Sequence, residues 1–256
     1  MAKPVPKTAS EIESMRRAGR VAMQVLRRAA SAVQPGITTG EIDRQIGGWI
    51  SELGGKSAFL GYRGFPGQAC ISVNEEVIHG IGGARRLQFG DLVKLDIGVR
   101  FEGFVGDVAM TVACGGCEPA AQRLMDVTRQ ALREGISKVR SGGTTLDIGR
   151  AVQRVVESAG LGVVREFCGH GVGRSVHEEP QVPNYADSRD SVRLRVGMTI
   201  AIEPMVTIGN PAVKILDDEW TVVTQDRRLA AHFEHTVLVG ECGAEILTDD
   251  GLNPLY

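Results

Sequence analysis

The sequence predicts an α/β (α+β) protein built as two αβ halves about a pseudo-two-fold axis, their strands joined in one sheet covered by helices. Three internal matches predict it. Residues 33–54 (VQPGITTGEIDRQIGGWISELG) align without gaps on residues 139–160 (VRSGGTTLDIGRAVQRVVESAG), sharing Val, Gly, Thr, Thr, Ile, Arg and Gly at 33/139, 36/142, 38/144, 39/145, 42/148, 44/150 and 54/160. Residues 87–99 lie over residues 194–206, which sets Asp96 on Glu203. Residues 106–112 match residues 233–239, which sets Asp107 on Glu234. Two long copies that each mix helices and strands form a duplication, not a solenoid, and stacking them in layers buries both apolar faces. No linker-like stretch divides the halves, roughly 10–118 and 119–250. One domain over 1–256 is therefore expected, within the size at which a single core suffices.

The elements follow in order. Ser10-Glu11-Ile12-Glu13 reads as a capping-box start. Ile12, Met15, Ala18, Ala22, Val25, Leu26, Ala29 and Val33 then recur at helical spacing until Pro35-Gly36 stops the run. A second helix begins after Thr38-Thr39, with Ile42, Ile46, Trp49, Ile50 and Leu53 on one face, and the same design returns 106 positions later. Asp96, Asp107, Glu203 and Glu234 each sit inside an apolar strand-like run. Asp96 and Asp107, eleven apart with Gly103 between them, suit adjacent antiparallel strands. His79-Gly80-Ile81-Gly82 also resembles His170-Gly171-Val172-Gly173, adding a pair of histidines to the paired acids.

Composition excludes several classes. A net charge of −2 with 23% charged residues lacks the Lys/Arg excess of a protein that binds nucleic acid through a basic field. No apolar run approaches the roughly 18–20 residues that span a bilayer. The opening Met1-Ala2-Lys3-Pro4-Val5-Pro6-Lys7 has no apolar signal-peptide core, so a cytoplasmic location is expected. Five cysteines, an odd count, fit reduced thiols. Cys114-Gly115-Gly116-Cys117 has no second such pair and no neighbouring His, and reads as two inert thiols. The 33 glycines are spread along the chain as turns and close backbone approaches.

Burying several carboxylates together is very unfavourable unless a cation compensates them. Carboxylates with histidine suit two first-row divalent ions about 3.5–4 Å apart. His170 stands in a glycine-punctuated segment, with His177 seven residues on and His79 after the apolar Val77-Ile78. The alternating glycines there do not make a dinucleotide-binding fingerprint.

The segments SVNEEVIHGI, KLDIGVRFEGFVGDVAMT, FCGHGVGRSVHEEPQVPNY, AIEPMV and FEHTVLV resemble the methionine aminopeptidases of peptidase family M24. The resemblance covers nearly the whole chain. It implies the pita-bread fold, two pseudo-two-fold-related αβ halves with a central, mainly antiparallel sheet covered by helices. It further implies five metal ligands: Asp96 and Asp107 on one ion, His170 and Glu203 completing the second, Asp107 and Glu234 shared by both. His79 and His177 fall at the family's two substrate histidines. Only 26 positions separate His177 from Glu203, too few for the helical insertion of the longer class, so the chain resembles the short bacterial type I.

The implied reaction removes the initiator methionine from peptides and nascent proteins with a small second residue. Water activated by two divalent ions (Co, Mn, Fe or Zn) attacks the peptide bond. Glu203 carries the proton, His177 stabilises the oxyanion, and His79 hydrogen-bonds the scissile nitrogen and helps protonate it. Tyr62, Phe65, Cys70 and Trp220 form the methionine pocket by resemblance, an apolar and polarizable wall suited to a thioether. The chain departs from better-known bacterial members at Phe59, Arg63, Phe65 and Val176, where a cysteine, a histidine, a tyrosine and a larger aromatic are replaced; the departures bear on fine specificity, not on the reaction. The expected partners are a Met-initiated peptide or nascent chain and the ribosome, with no nucleic acid or membrane partner, and the expected state is a monomer. Two other readings compete. A non-catalytic binding protein on the same fold would lack metal ligands. A proline-specific aminopeptidase or dipeptidase would carry a large domain ahead of the first helix, where only about ten residues stand here.

Overall fold

In the computed structural model, residues 4–189 and 191–249 are described; the ends of the expected domain, 1–3 and 250–256, and residue 190 lie outside the described residues. The first half runs α1 (Ala9–Ala32), α2 (Thr39–Glu52), β1 (Lys56–Ser57), β2 (Cys70–Val73), β3 (Glu76–Ile78), β4 (Leu92–Phe101) and β5 (Phe104–Ala113). The second runs α3 (Pro119–Ile136), α4 (Thr145–Ser158), β6 (Gly162–Val163), β7 (Gly169–Gly171), β8 (Glu178–Val182), β9 (Thr199–Ile202), β10 (Met205–Thr207), β11 (Val213–Ile215), β12 (Val222–Thr224), β13 (Ala230–His232), β14 (Glu234–Val239) and β15 (Ala244–Ile246). One sheet joins the halves in the order β1-β4-β5-β14-β9-β7-β8, with β2 added to β4 and β15 to β14. Its pairings are antiparallel.

Local chemistry sets each boundary. α1 does begin at a capping box, but at Thr8 and not Ser10. Thr8 Oγ1 accepts from the Glu11 N–H, and the Glu11 carboxylate accepts from the Thr8 N–H. Both T-x-x-E and S-x-x-E are present; the earlier one wins and puts Glu11 in the first turn, where the helix dipole favours an acid, while Glu13 pairs with Arg16. α2 and α4 start at the matched boxes Thr38/Glu41 and Thr144/Asp147. They bury the matched stripes Ile42, Ile46, Ile50 and Ile148, Val152, Val156. β4 and β5 are joined by the two residues Glu102 (φ 48°) and Gly103 (φ 82°), both left-handed as a type I′ hairpin turn requires.

The duplication is written in backbone hydrogen bonds. Gly36 donates to Leu87 O as Gly142 does to Leu194 O, and Thr39 to Arg85 O as Thr145 does to Val192 O. Cys114 donates to Asp91 O as Val239 does to Met198 O. β4 therefore maps on β9 with Asp96 over Glu203, as expected. β5 maps on β14 two residues away from the expected register. Thr236 Oγ1 accepts from the Asp107 N–H and donates to Asp107 O. Thr111 does the same with His232. The structural mate of Asp107 is thus His232, and Glu234 pairs across the axis with its own mate, Ala109. A slip of two keeps every side chain on its face, which is why apolar alternation in the sequence does not detect it. The histidine segments are not mates either: His79 lies just beyond β3, whereas His170 lies inside β7, the counterpart of β2.

α1 crosses β5 in close contact. A Cβ on Gly106 would stand 2.5 Å from Ala18 O, against backbone that cannot yield. Gly48, exposed within α2, has nothing within 4 Å of such an atom. Gly106→Ala should therefore lower unfolding free energy by about 1–3 kcal/mol, and Gly48→Ala raise it by about 0.5–1 kcal/mol. Urea titrations check both; a Gly106→Ala protein as stable as the parent would contradict this packing.

Candidate metal centre and substrate cleft

The central sheet delivers acids from neighbouring strands to the floor of one cleft of about 970 Å³. Asp96 on β4 stands opposite Ala109, and Asp107 on β5 opposite Gly98, so both carboxylates share a face. Glu203 follows β9, and Glu234 opens β14 beside β5. His170 on β7 completes the group. Its Nε2 lies 3.3 Å from Glu203 Oε1 and 3.9 Å from Asp107 Oδ2, while its Nδ1 faces Gly171 O at 3.0 Å. Donor atoms of Asp107, His170 and Glu234 lie within 4.8 Å of one another.

The electrostatics of this cluster are one-sided. Burial, and then the neighbouring carboxylates, push Asp107, Glu203 and Glu234 well above the ordinary carboxylate range. Burial raises Asp96 to about 7, held back by a hydrogen bond from the Cys70 thiol. Burial, with His177 nearby, lowers His170 to about 3, leaving it neutral and able to ligate. One oxygen on each acid (Asp96 Oδ1, Asp107 Oδ1, Glu203 Oε1 and Glu234 Oε1) has no hydrogen-bond partner among the described residues. An orphaned buried acceptor costs about 1–3 kcal/mol, and more when charged. Oxygen donors in this number, with one neutral imidazole, fit divalent first-row ions.

The cleft wall brings together the other predicted residues. Tyr62, Phe65, Cys70, His79, His177 and Trp220 all line it. Phe65 and Trp220 meet edge to face with centroids 5.0 Å apart. His177 Nδ1 lies 2.9 Å from Tyr62 Oη, and burial lowers its pKa. His79 adopts φ 58° and packs edge-on against Phe167 and Trp220; burial lowers it to about 4. Of the departures noted above, Phe59 and Arg63 line the cleft, whereas Val176 is buried in the apolar cluster behind it. Sequence reasoning missed Phe167 against His79. It also missed His232, whose position two before Glu234 in a strand-like run was the available signal. Among the described residues no cysteines are joined by a disulfide, and no helix is long and apolar enough to cross a membrane.

A family model described as metallopeptidase family M24 matches residues 13–241. The chain belongs to metallopeptidase family M24. Methionine aminopeptidase 1 of Bacillus subtilis (strain 168) is 43% identical over 94% of this M24 chain and 98% of its own length. The crystal structure of a methionine aminopeptidase from Thermotoga maritima superposes with a TM-score of 0.94 at 41% identity, covering 97% of this chain and all of that one. A prolidase from Pyrococcus furiosus, 22% identical with a TM-score of 0.79 over 96% of this chain and 66% of its own, shares the fold alone. That fold is the pita-bread fold, and the cofactor of an M24 metallopeptidase is divalent metal.

Metal must displace protons from these acids, so its stabilising effect depends on pH. In the metal-free protein a raised carboxyl pKa favours folding below the ordinary value, and that advantage is lost as pH rises, for Asp96 between 3.8 and about 7. The lowered His79 and His170 act oppositely, their contribution being complete above 6.5. Excess Mn²⁺ should therefore raise Tm by several degrees more at about pH 7.5 than at about pH 5.5. Equal shifts in differential scanning fluorimetry at the two pH values would contradict the assignment.

Proposed function

We propose that this cleft removes the N-terminal methionine from peptides and nascent proteins with a small second residue. The observation that carries the reading is the convergence of Asp96, Asp107, His170, Glu203 and Glu234, with orphaned carboxylate oxygens, in a family M24 chain. These five residues would hold two divalent ions, of Mn, Fe, Co or Zn. Bound divalent metal supplies a water nucleophile at neutral pH and Lewis-acid polarisation of the scissile carbonyl.

The side chains do the rest. Glu203, buried at the edge of the cluster, takes the proton released from the attacking water and passes it to the leaving nitrogen. His177 Nδ1 lies 2.9 Å from Tyr62 Oη; in the tautomer that serves the reaction Tyr62 donates and the ring proton stays on Nε2 for the developing oxyanion. A His79 lowered to about 4 is neutral, so it orients the scissile nitrogen by hydrogen bonding, and the proton comes from Glu203. This narrows the role expected from the sequence. Phe59, Tyr62, Phe65, Cys70 and Trp220 offer aromatic edges and sulfur to a thioether, contacts worth about 0.3–1.5 kcal/mol each.

Peptides beginning Met-Ala, Met-Gly, Met-Lys, Leu-Ala and Ala-Pro, assayed with added Mn²⁺, test the reading. Met-Ala and Met-Gly should be cleaved and Met-Lys spared, while preference for Ala-Pro would overturn it in favour of a proline-specific enzyme. His79→Ala should lower kcat about 10²-fold with bound metal unchanged; loss of metal in that variant would place His79 among the ligands instead.

A further inference from the structure

The mechanism leaves the buried imidazole of His232 unused. His232 is 1% exposed, and neither Nδ1 nor Nε2 has a hydrogen-bond partner among the described residues. Its backbone is pinned by both hydrogen bonds of Thr111, the mirror image of the grip of Thr236 on Asp107. The fold thus carries His232, at the end of β13, to the second half's counterpart of the Asp107 position. There its Nε2 lies 3.8 Å from Glu203 Oε2, while the other oxygen, Oε1, faces His170 Nε2 at 3.3 Å. Two imidazoles flank one carboxylate. Asn184 Nδ2 holds the Glu203 carbonyl at 3.0 Å, fixing the backbone but not the carboxylate plane.

His232 does not line the cleft. We propose that His232 is a positioning residue for Glu203: its Nε2–H donates to Oε2, fixes the carboxylate plane, and leaves Oε1 to the metal and the transferred proton. The gap closes to hydrogen-bond length by a side-chain shift of under about 1 Å. The inference rests on Glu203 acting in the peptidase site proposed above. Partners of metal-ligating carboxylates are worth roughly 10–100-fold in activity or metal affinity.

The test compares the parent protein with His232→Leu and His232→Gln. Steady-state kinetics on a Met-Ala peptide give kcat and KM, and calorimetric Mn²⁺ titration gives stoichiometry. His232→Leu should lose about 10–100-fold in kcat with KM changed less than about threefold and the number of bound ions unchanged. His232→Gln, which keeps an N–H, should recover most of the loss. His232→Leu also removes two orphaned nitrogens, so its Tm should not fall. Parent-like kcat in His232→Leu, a His232→Gln no better than His232→Leu, or loss of one bound ion would each overturn the proposal. A crystal structure of the Mn²⁺-loaded parent adds an arm free of any variant. Nε2 within about 3.2 Å of Oε2 is expected, and a separation of 3.8 Å or more overturns it. A parent inactive on Met-Ala would sink the peptidase reading instead, while the measured separation would still decide the role of His232.

Discussion

Mutual repulsion among four carboxylates, three buried and one half-buried, is the constraint on which the remaining structure turns. Asp96, Asp107, Glu203 and Glu234 meet on the floor of the cleft, each with an oxygen that no group among the described residues satisfies. No arrangement of the surrounding apolar side chains relieves that. The fold tolerates the cluster because the backbone beneath is thoroughly bonded: β4, β5, β14 and β9 form an unbroken antiparallel ladder, and α1 is seated so closely that Gly106 has room for no side chain. The unfavourable charge arrangement is thus carried by a rigid sheet and resolved by cations that bind only when the strands are in place.

Duplication explains how one chain assembles such a site. The hydrogen-bond frame is repeated almost residue for residue, but the side chains hung on it are not. Asp96 and Glu203 are true mates. Asp107 has a histidine as its mate, and Glu234 has an alanine, set directly across from it at the axis. Had acids occupied both copies of every position, six would converge in place of four, and each added charge would raise the proton affinity of the others. Neutral His170 contributes a donor without adding to the repulsion. Symmetry of backbone with asymmetry of side chain gives the cluster two inequivalent ends, one backed by His170 and His232, the other by Cys70.

Much of this was legible in the sequence, for identifiable reasons. The capping boxes at Thr38 and Thr144, the stripes of Ile42 and Ile148, and the turn at Gly103 are local signals with one physical meaning each. The expected metal ligands and the expected wall residues Tyr62, Phe65, Cys70 and Trp220 followed from motif resemblance, and the structure brings all of these side chains to one cleft. What escaped was register and depth. The mapping of β5 on β14 was two residues out because strand alternation repeats every second residue. The start of α1 was misplaced because two overlapping boxes compete. His232 was hidden because a polar residue in an apolar run carries no mark of what it faces until the strands are paired. The lowered pKa of His79 arises from burial, with His177 nearby, and that burial, which includes packing against Phe167, joins residues distant in sequence.

The most direct test of this account is the metal content of the purified chain at neutral pH, by inductively coupled plasma mass spectrometry, alongside Asp107→Asn and Glu234→Gln proteins of verified fold. The account predicts that the parent retains first-row divalent ions through gel filtration and that either substitution lowers the retained number. A parent that holds no divalent ion when metal is supplied, or variants that hold as much as the parent, would contradict it.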